Sequence, residues 1–231
     1  MASENPTWGA PQIHGQLLKL GYEACQSTVE NYLPRTRKPP SQTWRTFLKN
    51  HAAEIVACDF FVVPTVAFHL LFVFILLDHD RRRILHFNVT SSPSAEWTSQ
   101  QVVNAFPEDT APRFLLRDRD SIYGGKFQTR VENMGIEQVV IAPKSPWQNP
   151  YVEGVIGSFR RECLNHCIVL GERHLYRLVA QYARHYNRNR THLSLEKDCP
   201  IHRAVEPPAK GPVQSEPVLG GLHHRYYREA A

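Results

Sequence analysis

The sequence predicts an α/β fold in which a mixed sheet is flanked by helices and preceded by a small helical unit. From residue 54 onward, three apolar, strand-like segments follow one another, and helical and strand-like patterns then alternate. Residues 1–36 instead show two short helical patterns. We therefore expect four segments: 1–36 as a helical unit, 37–53 as a linker and short helix, 54–205 as the α/β core, and 206–231 as a tail.

The N-terminal unit has the pattern of two helices joined by a short turn. Pro11 begins a predicted helix, QIHGQLLKLG, which Gly21 ends. Ser27 or Thr28 then caps a second helix, TVENYL, which ends before Pro34. Helix, turn and helix is the pattern of a helix-turn-helix motif, but any helical hairpin shares it. The basic, proline-rich stretch from residue 35 to residue 44 is predicted to be a linker.

The core elements follow from their apolar periodicity. Strands are predicted at 54–63, 67–77, 84–90, 113–117 and 137–142, and helices at 95–106, 126–134, 151–168 and 172–187. The most apolar run, from Ala67 to Asp78, is about half the ~20 residues that a membrane helix needs, so we expect a buried central strand. This element order is that of the ribonuclease-H-like fold. The tail is expected to form a short strand or a flexible arm.

Composition gives a weaker indication of partner and compartment. The formal net charge of +5 favours a polyanionic partner, although many proteins that bind none share such a charge. The five cysteines form no CxxC pair, so a zinc ribbon is not supported and a reducing compartment is indicated. The N-terminal residues lack the features of a signal peptide. We expect a cytoplasmic protein that does not bind a membrane.

Three carboxylates carry the strongest functional signal. Asp59 interrupts an apolar strand, Asp118 ends another, and Glu153 opens an amphipathic helix. Carboxylates at strand ends and at a helix start can meet on one side of a sheet, where they repel one another unless cations bind them. Such ligands suit two Mg²⁺ or Mn²⁺ ions and phosphoryl transfer on a nucleic acid. Each carboxylate alone also has a structural interpretation, since Glu153 could complement the helix dipole and Asp118 could form a turn. Asp120 is the alternative to Asp118 as the second acidic residue.

The helix after Pro150 presents a second face beside its apolar stripe. Glu153, Gly157 and Arg160 share that face, so a DNA backbone could pass over Gly157 while Arg160 contacts a phosphate. Arg161 and Lys144 are further candidates for neutralising phosphate. Solvated surface charge is the alternative interpretation of all three basic residues.

The segments around the carboxylates resemble the integrase core, or DDE, superfamily of transposases and retroviral integrases. The resemblance rests on ACDFF, LLRDRDSIYGGKF and KSPWQNPYVEGVIGSFRRECLNH, and on HYNRNRTHLSL, which is similar to the YNxxRPHxxL segment of insertion-sequence transposases. In that family an aromatic residue lies five positions after the second Asp, and Tyr123 places Asp118, rather than Asp120, in that role. The first residues resemble the end of a helix-turn-helix region, so a truncated unit is expected.

The resemblance implies DNA cleavage and strand transfer by metal-dependent phosphoryl transfer. Asp59 would bridge two Mg²⁺ ions, Asp118 would hold one and Glu153 the other. Asn149 matches the family pattern four positions before Glu153, which implies a contact with DNA. The implied partners are DNA, as element ends and target, and further copies of the chain. An inactive DNA-binding remnant and a ribonuclease-H-like nuclease are the alternatives.

Two positions depart from the family pattern. Gly154 stands where a basic residue often follows the Glu, so one phosphate contact is missing. Asp120 stands where Gly is common and adds negative charge beside the expected site.

Overall fold

The computed structural model describes residues 1, 5, 8–33, 43–107, 110–143 and 148–229. They divide into two compact units, residues 1–43 and residues 44–231. Lys144 lies outside the described residues, as does most of the predicted linker.

The first unit contains two helices, α1 (Ala10–Lys19) and α2 (Gln26–Tyr32). Its small core consists of Ala10, Ile13 and Val29. Gly21 ends the first helix with a φ of 82°, as expected of a residue without a Cβ. The predicted cap of α2 was wrong, because Cys25 precedes the helix and its Sγ hydrogen bonds with the hydroxyls of Ser27 and Thr28.

The second unit is built on a five-stranded mixed sheet in the order β3-β2-β1-β4-β5. The strands are β1 (Ile55–Pro64), β2 (Leu70–Asp78), β3 (Ile84–Thr90), β4 (Phe114–Arg117) and β5 (Glu137–Val140). β1, β2 and β3 pair antiparallel, whereas β4 pairs parallel with β1 and β5 parallel with β4. This confirms the predicted fold class, and β2 is the buried inner strand that its apolar run indicated.

Helices cover both faces of this sheet. They are α3 (Trp44–Asn50), α4 (Ala95–Ala105), α5 (Gly125–Asn133), α6 (Pro150–Glu162) and α7 (Glu172–Arg188). The larger core lies between one face of the sheet and α6 and α7, and the smaller core lies between the other face and α4 and α5. Ser94 caps α4 as predicted, since its Oγ accepts a hydrogen bond from the Trp97 amide.

α6 ends at Glu162, six residues earlier than expected. Cys163 leaves the helical conformation with a φ of −138°, and a short 3₁₀ turn, Leu164–His166, follows. The C-terminal residues form an antiparallel hairpin of β6 (Val213–Val218) and β7 (His223–Arg228) rather than an arm. Among the described residues, none of the helices combines the length and apolarity that crossing a membrane requires.

Candidate active site

Asp59 and Asp118 lie just beyond the paired part of β1 and β4. Ala57 of β1 pairs with Leu116 of β4 in the parallel ladder, and the two aspartates each follow two residues later. Alternation along β1 places Asp59 on the face that bears Ala57 and Leu116, and the charge of Asp118, just past the end of β4, acts on it. That face belongs to the larger core, the one that α6 covers.

α6 brings Glu153 to the same face. The Tyr151 ring at the start of α6 packs on the His79 ring next to the beginning of β1, at 5.0 Å between centroids. Near the end of the helix, Phe159 packs on Phe61 of β1 at 5.6 Å. α6 therefore runs along β1, and Glu153 in its first turn comes between these two contacts.

The carboxylates of Asp59, Asp118, Asp120 and Glu153, which we call the acidic group, interact electrostatically. Burial, with a smaller contribution from the charges of Asp118, Glu153 and Asp120, raises the pKa of Asp59 to about 7. The amide of Phe60 donates a hydrogen bond of 2.7 Å to Asp59 Oδ1, which opposes this shift. The carboxylates are thus close enough to repel, which is the electrostatic environment that divalent cations stabilise.

The acidic group is nevertheless open. Among the described residues, no three His, Cys, Asp or Glu side chains are arranged closely enough to hold a metal ion as they stand. Glu153 is exposed, and within the described part of the chain its carboxylate has no hydrogen-bond or ion-pair partner.

Asp118 and Asp120 occupy different environments. Asp118 is half-buried, and its Oδ1 accepts a hydrogen bond from the Asp120 amide at 3.0 Å. Asp120 is exposed and caps the turn Ser121–Tyr123 through a hydrogen bond from the Ile122 amide to its Oδ1. The capping contact gives Asp120 a structural role of its own.

A buried arginine, which the sequence analysis did not single out, supports the turn that carries Asp118. Arg117 is 6% exposed, and its guanidinium donates hydrogen bonds to Gln138 Oε1 and to the Asp118 carbonyl. It also lies 5.4 Å from the centre of the buried Tyr123 ring. The available signal was a charged residue at the end of an apolar strand, next to the acidic residue.

The basic candidates on α6 are exposed, but their arrangement differs from the expectation. Arg160 and Arg161 both face solvent. The Arg161 guanidinium lies over Gly157, where a Cβ would come within 2.8 Å of Arg161 Nη1. Arg161, rather than an empty surface, therefore covers the glycine that was expected to let a DNA backbone approach.

Asn149 is placed inside the protein. It is 3% exposed and immediately precedes α6, and its neighbourhood includes the buried ring of His79. This position does not favour a direct contact with DNA. It suits a residue that fixes the start of α6, four positions before Glu153.

The comparisons with known proteins confirm the resemblance to the integrase core superfamily. Residues 134–200 match the family model of the integrase core domain, a range that contains Glu153 but neither Asp59 nor Asp118. A 39.2 kDa uncharacterized protein of insertion element IS476 from Xanthomonas euvesicatoria is 30% identical over 115 residues. That alignment spans 50% of this chain and 31% of the relative, so the chain corresponds to about a third of that protein.

One solved structure supports the same fold, and a second is similar over a smaller part of the chain. A chain of the simian T-cell lymphotropic virus intasome, complexed with PP2A regulatory subunit B56 gamma, matches with a TM-score of 0.51 and 13% identity. The match covers 76% of this chain and 66% of that one. The HTLV-2 integrase catalytic core domain in complex with magnesium matches at a TM-score of 0.46 and 10% identity, over 65% of this chain and 94% of that one.

Proposed function

We propose that this chain carries out transposase- or integrase-type phosphoryl transfer on DNA, cutting element ends and joining them to target DNA. The observation that supports the proposal is the environment of Asp59: it follows the last β1–β4 pair by two residues, as Asp118 does, and the charges of Asp118 and Glu153 act on its carboxylate. Members of the integrase core family are polynucleotidyl transferases, which supports this choice of chemistry.

The donor set fits two hard divalent cations. Asp59 would contact both ions, Asp118 one and Glu153 the other, since carboxylate oxygens are the preferred ligands of Mg²⁺ and Mn²⁺. Bound there, such ions supply the charge that activates an attacking oxygen and stabilises a departing 3′-oxygen. The raised pKa of Asp59 supports this assignment, because its main causes are burial and neighbouring carboxylates.

The remaining residues would position the DNA rather than react with it. Arg160 and Arg161 are exposed near the end of α6, where they would contact phosphate oxygens. Asn149, buried at the start of the helix, would hold the helix in register and thereby set the position of Glu153. Because joining requires two DNA ends to be held together, the active form would be a homo-oligomer.

A strand-joining assay tests this function. A labelled duplex with a free 3′-hydroxyl, taken from DNA that flanks the encoding gene, is incubated with plasmid and Mg²⁺. We expect labelled plasmid with the unaltered chain, and a loss of at least ~100-fold with Asp59→Asn or Glu153→Gln. Glu132→Gln, on the surface of α5, is the matched control and should leave joining unchanged.

The two alternative functions give different results in the same experiment. An inactive DNA-binding remnant would retain the duplex without cutting or joining it in either Mg²⁺ or Mn²⁺. A ribonuclease-H-like nuclease would cut the RNA strand of a hybrid in an Asp59-dependent manner and would join no DNA.

A further inference from the structure

α7 carries a row of arginines that the proposed catalytic site does not use. Arg173, Arg177, Arg184 and Arg188 are all exposed. At 3.6 residues per turn they lie within about 60° of one another around the helix axis, and at 1.5 Å per residue they extend over about 22 Å. We call these four residues the α7 arginine stripe.

The stripe is not neutralised by acidic side chains. Among the described residues, no ion pair or hydrogen bond involves the side chain of any of the four. Glu172 is the one acidic residue on α7, at its first position. The opposite side of the helix is apolar and packs into the larger core through Leu175, Val179 and Tyr182. Because the buried side is fixed, the arginines have to face outward.

The end of the stripe forms one wall of a groove of about 930 Å³. The opposite wall comes from the C-terminal hairpin and the segment before it, and three further cations line it: Arg203, Lys210 and Arg225. Two glutamates also line the groove, Glu206 and Glu216. Their ion pairs with these three cations are long, at 3.9 Å for Arg203, 3.9 Å for Lys210 and 3.6 Å for Arg225. Positive charge therefore exceeds negative charge on both walls.

The hairpin is held against α7, so the groove is a fixed feature of the second unit. The His223 ring of β7 stacks on His185 of α7 with centroids 4.5 Å apart and planes inclined by 17°. His223 Nε2 also lies 2.7 Å from the Glu162 carbonyl at the end of α6.

We propose that the α7 arginine stripe and this groove bind the sugar-phosphate backbone of duplex DNA, independently of its sequence and away from the acidic group. This inference deepens the proposed function by assigning a second DNA contact to the same unit. An unpaired line of arginines is the electrostatic footprint of a nucleic-acid surface, since each guanidinium can hold a phosphate with two hydrogen bonds. About 22 Å corresponds to roughly six base pairs of B-DNA.

The lining of the groove favours a duplex over single strands. Single-strand sites stack bases on aromatic side chains, whereas no Phe, Tyr or Trp is among the described residues that line this groove. The position of α7 also separates this contact from the carboxylates. α7 packs on β3, an edge strand of the sheet, whereas Asp59 and Asp118 lie on and after β1 and β4. DNA on the stripe would therefore be a flanking segment rather than the reacting phosphate.

The test is binding of a duplex of roughly 20 base pairs in EDTA, followed by fluorescence anisotropy between about 50 and 200 mM salt. We expect the fourfold variant Arg173→Gln/Arg177→Gln/Arg184→Gln/Arg188→Gln to bind at least ~10-fold more weakly. The slope of log affinity against log salt should become shallower by about 3.6 if each of the four arginines holds one phosphate, because about 0.9 of a counterion is released per phosphate contact. Replacing the same four arginines with lysine should restore most of the binding.

The matched control lies on the other face of the sheet. Lys126→Gln/Arg130→Gln on α5 removes two exposed positive charges, and Arg184→Gln/Arg188→Gln removes two from the stripe. Equal binding losses in these two double variants would overturn the proposal, because net charge alone would then explain the effect. A stripe-dependent preference for a single-stranded oligonucleotide would also overturn it. Circular dichroism of each variant verifies its fold, and Arg184→Gln/Arg188→Gln provides the test if the fourfold glutamine variant does not fold.

Asp59→Asn separates this inference from the proposed function. The Asp59→Asn variant retains all four stripe arginines, so in EDTA it should bind the duplex as tightly as the unaltered chain. If the unaltered chain binds the duplex through the stripe but joins no DNA, the proposed phosphoryl transfer is refuted, whereas the DNA-binding surface still stands. If the fourfold variant joins DNA at the normal rate and with the normal affinity, the stripe is not a DNA-binding surface, whereas the proposed phosphoryl transfer still stands.

Discussion

The guanidinium of Arg190 holds both carboxylate oxygens of Glu162, at 2.8 Å from Nη2 to Oε1 and 2.9 Å from Nε to Oε2. The Tyr182 hydroxyl donates a third hydrogen bond, of 2.7 Å, to Glu162 Oε2. Burial acts to raise the pKa of Glu162, but the hydrogen bonds from Arg190 and Tyr182 outweigh it and lower the pKa. The Glu162 carboxylate therefore links the end of α6 to Tyr182 on α7 and to Arg190, two residues beyond the end of α7.

We predict that breaking this contact destabilises the second unit. Glu162→Gln should lower the free energy of unfolding by about 1–3 kcal/mol, because it leaves a half-buried guanidinium without its charged partner. The measurement is urea unfolding followed by circular dichroism. Glu216→Gln, which removes an exposed partner of Arg225 at 3.6 Å, should change stability by less than about 0.5 kcal/mol. Similar losses in the two variants would contradict the structural role of the pair.

Buried histidines should make stability fall in mild acid. Burial lowers the pKa of His79, His185 and His192 to about 4 each. An unfolded histidine takes up its proton near pH 6.5, so stability is fully present above that value and is lost as the pH falls toward 4. His79→Gln should therefore reduce the loss between about pH 7.5 and about pH 5 by about 1–2 kcal/mol.

Urea unfolding at both pH values measures this difference, which is independent of any constant packing defect in the variant. His224→Gln, at an exposed position on β7, is the control and should keep the full pH dependence. An unchanged acid response in His79→Gln would show that the histidine is not held neutral by the fold.

The acidic group should lower the stability of the unaltered chain when no ion is bound and should raise it when Mg²⁺ binds. Asp59→Asn removes a partly buried charge that lies among like charges, so in EDTA the variant should be more stable than the unaltered chain, by about 1–3 kcal/mol. Millimolar Mg²⁺ should raise the melting temperature of the unaltered chain and leave that of Asp59→Asn unchanged. Thermal melts with and without Mg²⁺ provide both readings. An equal Mg²⁺ effect in the two proteins would mean that the ion binds elsewhere.

The sequence allowed the sheet to be anticipated because it depends on local regularities. Apolar runs mark strands, and the order of strands and helices along the chain then indicates how the sheet is built. Contacts that depend on the three-dimensional path of the chain were not accessible. The family pattern implied that Asn149 contacts DNA, but the residue is buried at the start of α6. The Glu162–Arg190 pair joins residues 28 positions apart that no periodicity relates.

The C-terminal hairpin is a second feature that apolar periodicity could not predict. The segment His223–Arg228 has no apolar alternation, and its strand is stabilised by pairing with β6 and by the contact of His223 with α7. Periodicity detects strands that bury one face, so a polar hairpin of this kind escapes it.

The central claim is that Asp59, Asp118 and Glu153, and not Asp120, form a metal-dependent phosphoryl-transfer site. The most direct measurement compares Asp118→Asn with Asp120→Asn in Mg²⁺-dependent cleavage of a labelled duplex end, with both proteins shown to be folded. We predict that Asp118→Asn abolishes cleavage, whereas Asp120→Asn retains it within about 10-fold, because the latter loses only a capping contact on an exposed turn. Full cleavage by Asp118→Asn, together with its loss in Asp120→Asn, would contradict the account.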